Sequence, residues 1–337
     1  MKNHTSPVTL WAAVAVLCLT SVPLFADTPP PVDHAFAPAP AGKLVLEDSP
    51  CPFSDDLLPR LSVPAGSPTP DLDSQFAPTD SGNNLFPSFF HPIYASWFKS
   101  AHVTPYGLVI ADKGITIGQT LAADFDLYRG GSRAPINRIY LAAGLITYIN
   151  GQTQQKPYID GVNELEPFAG VYVRFLNCLV GNVKYKEFYS VYNNFQTIDQ
   201  TQIGLALDDS RWLKPVSIHP FMDMRFARHD DYLLLGLSPT AHLKPAGVAV
   251  TLTMPTWVTV GPPDFWGGLS HAGVFTTGLT ATFPLTFIPR KFGAWHFDAG
   301  FQYYSLLAHS LIRTSQFIGT GGHRNIVVGF TGFGVHF

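Results

Sequence analysis

Beyond residue 100 the chain alternates apolar and polar positions with period two. From Val274 to Phe287 one face carries Phe275, Leu279, Ala281, Phe283, Leu285 and Phe287, and the other carries Thr276, Gly278, Thr280, Thr282 and Thr286. The next run repeats the division, with Trp295, Phe297, Ala299, Phe301 and Tyr303 opposed to His296, Asp298, Gly300, Gln302 and Tyr304. Successive side chains of a strand point to opposite faces, whereas a helix would mix the two sets, so these runs predict strands with one oily and one hydrophilic face.

Earlier runs alternate in the same sense. Asp124 and Asp126 oppose Leu121, Ala123, Phe125 and Leu127; Arg138, Tyr140 and Gly144 oppose Ile139, Leu141, Leu145 and Ile149. Glu166, Tyr172 and Arg174 oppose Ala169, Val171, Val173 and Phe175, while His219, Asp223 and Arg225 oppose Ile218, Met222, Met224 and Phe226. Val248, Val250, Leu252 and Met254 alternate with Ala249, Thr251 and Thr253. In the run from Val183 to Val191, Lys184 and Lys186 share a face but Glu187 takes the other, which leaves its orientation open. Adding Tyr106 to Asp112, Gln202 to Leu207, Tyr232 to Thr240 and Asn325 to Phe337 gives about twelve strands, each near the roughly 9 to 11 residues that cross a bilayer. An even number returns both termini to one side of an antiparallel barrel. Short connections at 177–182 and 289–293 then alternate with long ones at 150–163, 260–272 and 307–324, although the short turn at 112–114 departs from that scheme.

The expected fold class is therefore all-β, a transmembrane antiparallel up-and-down barrel over residues 101–337. What precedes it is different in kind. Residues 27–100 open with a crowd of prolines from Pro29 to Pro78, which removes ladder donors and predicts an extended periplasmic arm. Its last part, 85–99, is strongly aromatic and reads either as an interfacial segment at the barrel mouth or as a plug entering the lumen. Residues 1–26 read as a signal peptide: Lys2 and His4, an apolar stretch from Leu10 to Leu19, and an exit at Ala26, with an uncleaved anchor as the alternative.

Composition sharpens this picture. Apolar residues reach 46 % and charged ones only 13 %, yet nothing after residue 25 is continuously apolar enough for a spanning helix. In hydrocarbon every backbone donor and acceptor needs an internal partner, and a closed barrel supplies one without leaving an edge. Tyr128, Trp257, Phe287, Trp295, Tyr303 and Phe337, near strand ends, are expected to form interfacial girdles. Without Lys2 the mature chain has 20 basic residues against 24 acidic, a net charge of −4, so no nucleic-acid surface is implied. Cys51 and Cys178 remain after processing, either paired or as separate thiols.

The last strand closes on Gly332, Val335 and Phe337. In this it resembles bacterial outer-membrane proteins, whose final strand ends in an aromatic residue preceded by a hydrophobe and a glycine. Phe330 departs from that pattern, which usually has a polar residue there. The resemblance implies localisation in the bacterial outer membrane, with membrane lipid and the outer-membrane assembly machinery as partners, and a small porin-like barrel.

No motif for nucleophilic catalysis, phosphate binding or structural zinc is present, so neither an enzyme nor a cofactor is expected. Ser270-His271 and His309-Ser310 fall in expected loops without a spaced acid, and the histidines show no helical metal-ligand spacing. The functional candidates are instead the ionisable and polar residues of the inward face: Asp124, Asp126, Arg138, Glu166, Arg174, Lys184, Lys186, Asp223, Arg225, Asp298 and Gln302. Their mixed signs suit either a salt-bridged interior or a pore with opposed charges. A channel for small polar solutes is the first functional expectation, a non-conducting structural or adhesive barrel the second, and a lipid-modifying enzyme the third.

Overall fold

The chain is described by a computed structural model. Described are residues 89–112, 114–130, 134–150, 163–176, 178–190, 197–209, 213, 216–227, 230–243, 249–262, 266, 270–317 and 322–337. They belong to the second of two units, Phe53–Phe337, the first being Met1–Pro52. Residues 1–26, expected to be a signal peptide, the proline-crowded stretch to Pro78 and Cys51 lie outside the described residues; Cys178 is a free thiol in a tight turn.

Among the described residues twelve strands close into an antiparallel barrel. They are β1 Phe90–Lys99, β2 Thr116–Arg129, β3 Ile136–Asn150, β4 Asn163–Phe175, β5 Leu179–Ser190 and β6 Ile198–Leu207. The second half is β7 (Val216–Ser217 and Pro220–Ala227), β8 (Asp230–Leu237 and Thr240–Leu243), β9 (Val250–Thr253 and Thr256–Val260), β10 Ala272–Pro284, β11 Ala294–Leu306 and β12 Asn325–His336. Each strand pairs with its neighbours in sequence, and β1 on β12 closes the ring, with Trp97 opposite Gly332. A helix, α1 (His309–Phe317), lies in the connection between β11 and β12.

Alternating burial gives each strand an inner and an outer face. Along β2 the even positions from Thr116 to Asp124 are buried or partly buried, and Leu121 between them is 63 % exposed. Val171, Val183, Ile203, Met224 and Phe301 stand outward in the same manner on other strands. A closed ladder with an apolar outer surface is the arrangement that hydrocarbon demands, because lipid then takes the place of a core.

Two sequence expectations are corrected here. The barrel begins at Phe90 and not at residue 101, since Phe90–Lys99 pairs along its whole length with β2 and from Ile93 onward with β12. Pro92 is tolerated because it sits just beyond the β12 ladder, where its carbonyl accepts Phe337 N–H at 3.0 Å and no donor is required of it. Conversely Tyr106–Asp112 is not a wall strand. The connection between β1 and β2, residues 100–115, contains a small hairpin of His102–Val103 against Val109–Ala111, which forms its own two-stranded sheet. The exchange of one segment for the other leaves the strand number at twelve.

β7, β8 and β9 are each interrupted at Ile218-His219, Ser238-Pro239 and Met254-Pro255. A proline follows or occupies each break, at 220, 239 and 255, and its missing N–H stops the ladder there. Ser238 N–H turns to Ile218 O at 2.9 Å, and Met254 N–H to Pro239 O at 2.8 Å. His219 takes up the irregularity with φ +48°, a left-handed value uncommon outside glycine.

Candidate functional site

The 100–115 hairpin is folded into the barrel from the end opposite the chain's C-terminus, hereafter the loop end. Ala101, Val103, Tyr106, Leu108 and Val109 form one buried cluster with Phe221, Tyr232, Leu234, Trp257, Val274, Tyr304, Leu306 and Val328 of the wall and Leu311 of α1. These wall residues sit on inner faces of β7 to β12. The hairpin is also fastened by polar contacts to opposite sides. Pro105 O accepts Thr259 Oγ1 at 2.8 Å and Trp257 Nε1 at 3.4 Å. On the other side His102 Nδ1 lies 3.2 Å from Asn150 Oδ1, and its ring stacks on Tyr148 at 4.6 Å.

Local sequence explains the tight fold of the tip. Thr104 receives Leu108 N–H on its hydroxyl at 2.9 Å and donates its own N–H to Leu108 O at 2.8 Å. Gly107 turns the chain with φ +97°, where a Cβ would meet Leu306, Leu311 and Val274 at 3.0 to 3.1 Å. Trp257, expected in an outer girdle, is 2 % exposed inside the barrel, because its indole N–H is needed against the hairpin carbonyl. Tyr128 and Phe287 are on the surface.

Beside the hairpin lies a buried layer of charge on β4 to β7. Lys186 Nζ donates to Glu166 Oε2 at 2.9 Å, with side-chain exposures of 1 % and 0 %. Arg225 grips Asp223 through Nε and Nη2, both at 2.8 Å. Gln202 donates to Gln200 at 2.8 Å, and Tyr304 to Gln302 at 2.6 Å. Lys184, whose orientation the sequence left open, faces inward with Lys186, and Glu187 points outward to Tyr185 and Tyr189. Asp124 is likewise buried on the inner face. Opposite charges meet in the Lys186–Glu166 and Arg225–Asp223 pairs.

Toward the other end, where β12 terminates, the lumen is more open and differently furnished. Asp126 bridges Arg138 and Arg129 and lies 3.4 Å from His91; Arg174 pairs with Asp208. Asp298 accepts Thr282 Oγ1 at 2.6 Å and lies 3.3 Å from His296. Asp124, Glu166, Lys184, Lys186, Asp223, Arg225 and Gln302 are buried, whereas Asp126, Arg138, Arg174 and Asp298 carry the contacts of the more open tier. The hairpin, which lies beside the charge layer, went unrecognised, since its apolar run Leu108–Ala111 carries the same pattern as a wall strand. Gly332 faces inward under Trp97, Val335 is buried, and Phe337 caps the β1 edge through its N–H. Among the described residues no group of three or more His, Cys, Asp or Glu side chains is arranged to hold a metal ion.

His102 is the titratable group of the hairpin. Burial, reinforced by the neighbouring Lys99 ammonium and opposed by the Asn150 contact, pushes its pKa down from 6.5 to about 3. The ring is therefore seated in its neutral form.

No family model matches the sequence, and no curated protein matches it. Solved structures with similarity include the KdgM porin in complex with disordered oligogalacturonate, at 9 % identity and TM-score 0.40, covering 73 % of this chain and 98 % of that one. The translocator domain of the autotransporter NalP from Neisseria meningitidis is similar at 12 % identity and TM-score 0.37, covering 77 % and 92 %. The low-pH structure of Pseudomonas putida OprB follows at 11 % identity and TM-score 0.30, covering 74 % and 92 %.

Proposed function

We propose that this chain is an outer-membrane channel for small polar solutes, held shut at its loop end by its own 100–115 hairpin. The observation that carries the reading is the hairpin itself. The obstruction is a connecting segment tethered at both ends, between β1 and β2, and not a lumen narrowed by wall side chains alone. Behind it, the vestibule offers Thr282, Asp298, His296, Arg138 and Asp126 to water, a lining suited to polar and not to apolar solutes. With an even number of strands β1 begins and β12 ends on one side, and the 100–115 and α1 connections lie on the other, which outer-membrane barrels turn outward.

Planar-bilayer recording of the purified chain tests the proposal. The intact protein is expected to conduct little, and a variant in which a short Gly-Ser linker replaces residues 101–112 is expected to open a stable conductance several times larger. A correctly folded linker variant without conductance would leave the second reading, a non-conducting structural barrel. That reading draws on the charge layer at Glu166, Lys186, Asp223 and Arg225, which fills part of the lumen independently of the hairpin.

A further inference from the structure

We propose that Ser217, His219 and Asp209 form a hydrolytic site for short-chain carboxylic esters in the vestibule of the barrel. The site lies at the break in β7, away from the hairpin and the charge layer. Ser217 Oγ is 2.6 Å from His219 Nε2, and His219 Nδ1 is 3.5 Å from Asp209 Oδ1. Nucleophile, base and acid thus stand in the order that acyl transfer uses, with the second contact at the looser distance common before a substrate is bound.

Three features argue for a built arrangement. Asp209 belongs to the turn after β6, yet its carboxylate accepts Ile218 N–H at 3.0 and 3.1 Å and His219 N–H at 3.1 Å, so it is fixed to the strand that carries the other two residues. His219 holds its left-handed backbone at this point, and strain of that kind concentrates where a side chain must be aimed. The neighbouring acid, Asp208, is 3.9 Å from His219 Nδ1 and is already taken by Arg174, which leaves Asp209 as the partner of the imidazole. Ser217 Oγ also lies 3.4 Å from Thr240 O, a longer contact than that to His219.

Burial and register indicate the substrate class. Ser217 is 4 % exposed and His219 partly open, so approach to the hydroxyl is narrow, which favours a small acyl group over a long chain. Ser217 pairs with Thr240, which pairs with Thr253, and their hydroxyls run along the inner wall. That row suits a polar alcohol portion such as a sugar. In the reaction Ser217 Oγ bonds to the ester carbonyl carbon as His219 Nε2 takes the hydroxyl proton and the carbonyl electron pair moves onto oxygen. Collapse breaks the bond to the alcohol oxygen, which leaves with the proton from His219. Water then attacks the acyl-serine, its proton passing through His219 to Ser217 Oγ as the C–Oγ bond breaks, releasing the acid. Asp209 acts only by positioning the imidazole.

The full-length protein in detergent is treated with diisopropyl fluorophosphate and, separately, with p-nitrophenyl acetate, with heat-shifted migration on gels as the check of folding. Mass spectrometry is expected to place the phosphoryl adduct on Ser217. Ser217→Ala loses the adduct and the acetate hydrolysis, and His219→Gln lowers both rates by about a hundredfold or more. Asp209→Asn keeps the carbonyl that receives the two N–H groups, and is expected to reduce kcat with KM unchanged. An unmodified Ser217 in folded wild-type protein overturns the proposal, as does labelling of His219→Gln at the wild-type rate. Should Ser217→Ala fail to fold, the adduct position and the His219→Gln rate still decide. Neither readout depends on conductance.

Discussion

Trp97 shows how single residues set the wall. It faces inward on β1, and the residues opposite it on the two neighbouring strands are Gly118 and Gly332. A Cβ at Gly332 would come within 2.5 Å of Ser96 O and 2.7 Å of Trp97 Cδ1, so the glycine is required by packing. From sequence Gly332 was legible only as part of a terminal assembly signal, because its neighbour Trp97 is far away along the chain. Gly332→Val is accordingly expected to impair refolding of the purified protein into detergent, where no assembly machinery is present; refolding at the wild-type yield would remove the packing role. Gly107 is a second such position. Gly107→Ala places a side chain at φ +97° against Leu306 and Leu311, at a cost of roughly 1–3 kcal/mol to the seated hairpin. Faster proteolysis between residues 101 and 112, with an undisturbed barrel, is the outcome to look for.

At the scale of elements, the wall strands were readable because lipid rewards a strict two-residue period, and that period survives in sequence. The two misassigned segments show where the rule lapses. The aromatic run 85–99 reads as an interfacial segment or a plug, whereas Phe90–Lys99 pairs as β1, with Pro92 just beyond the β12 ladder. The hairpin misled in the opposite direction, because a buried plug selects the same apolar residues as a lipid-facing wall. His219 was legible only as a residue of the polar face, and its grouping with Ser217 and Asp209 had no signal, since the acid arrives from a preceding turn through contacts to backbone N–H groups. The hairpin carries a pH dependence whose sign follows from His102. Seated, the ring has a pKa of about 3; withdrawn into water it returns to about 6.5. Below about 6.5 the withdrawn form therefore binds a proton that the seated form refuses, and seating weakens progressively as pH falls toward about 3. Conductance should rise on acidification between these limits, and His102→Gln should flatten the response. A His102→Gln variant with the full wild-type pH dependence would assign the effect to another group.

The two ends of the barrel are unlike, and this asymmetry yields a test of wall register and hairpin together. Thr282 and Phe283 are adjacent on β10, but Thr282 turns inward to Asp298 while Phe283 turns outward beside Phe297. Both lie toward the end where the chain terminates, on the far side of the hairpin from the loops. If the loops face the medium, a membrane-impermeant maleimide added to intact cells must pass the hairpin to reach position 282, whereas position 283 is shielded by lipid from either direction. Thr282→Cys is therefore expected to label slowly in the otherwise intact chain and much faster once residues 101–112 are replaced by a short linker. Phe283→Cys should remain unlabelled in both backgrounds. Cys178 is constant throughout and is controlled by the parent chain. Equal labelling of Thr282→Cys with and without the hairpin would mean that the segment does not govern access, and labelling at 283 in place of 282 would mean that the inner and outer faces of β10 are exchanged.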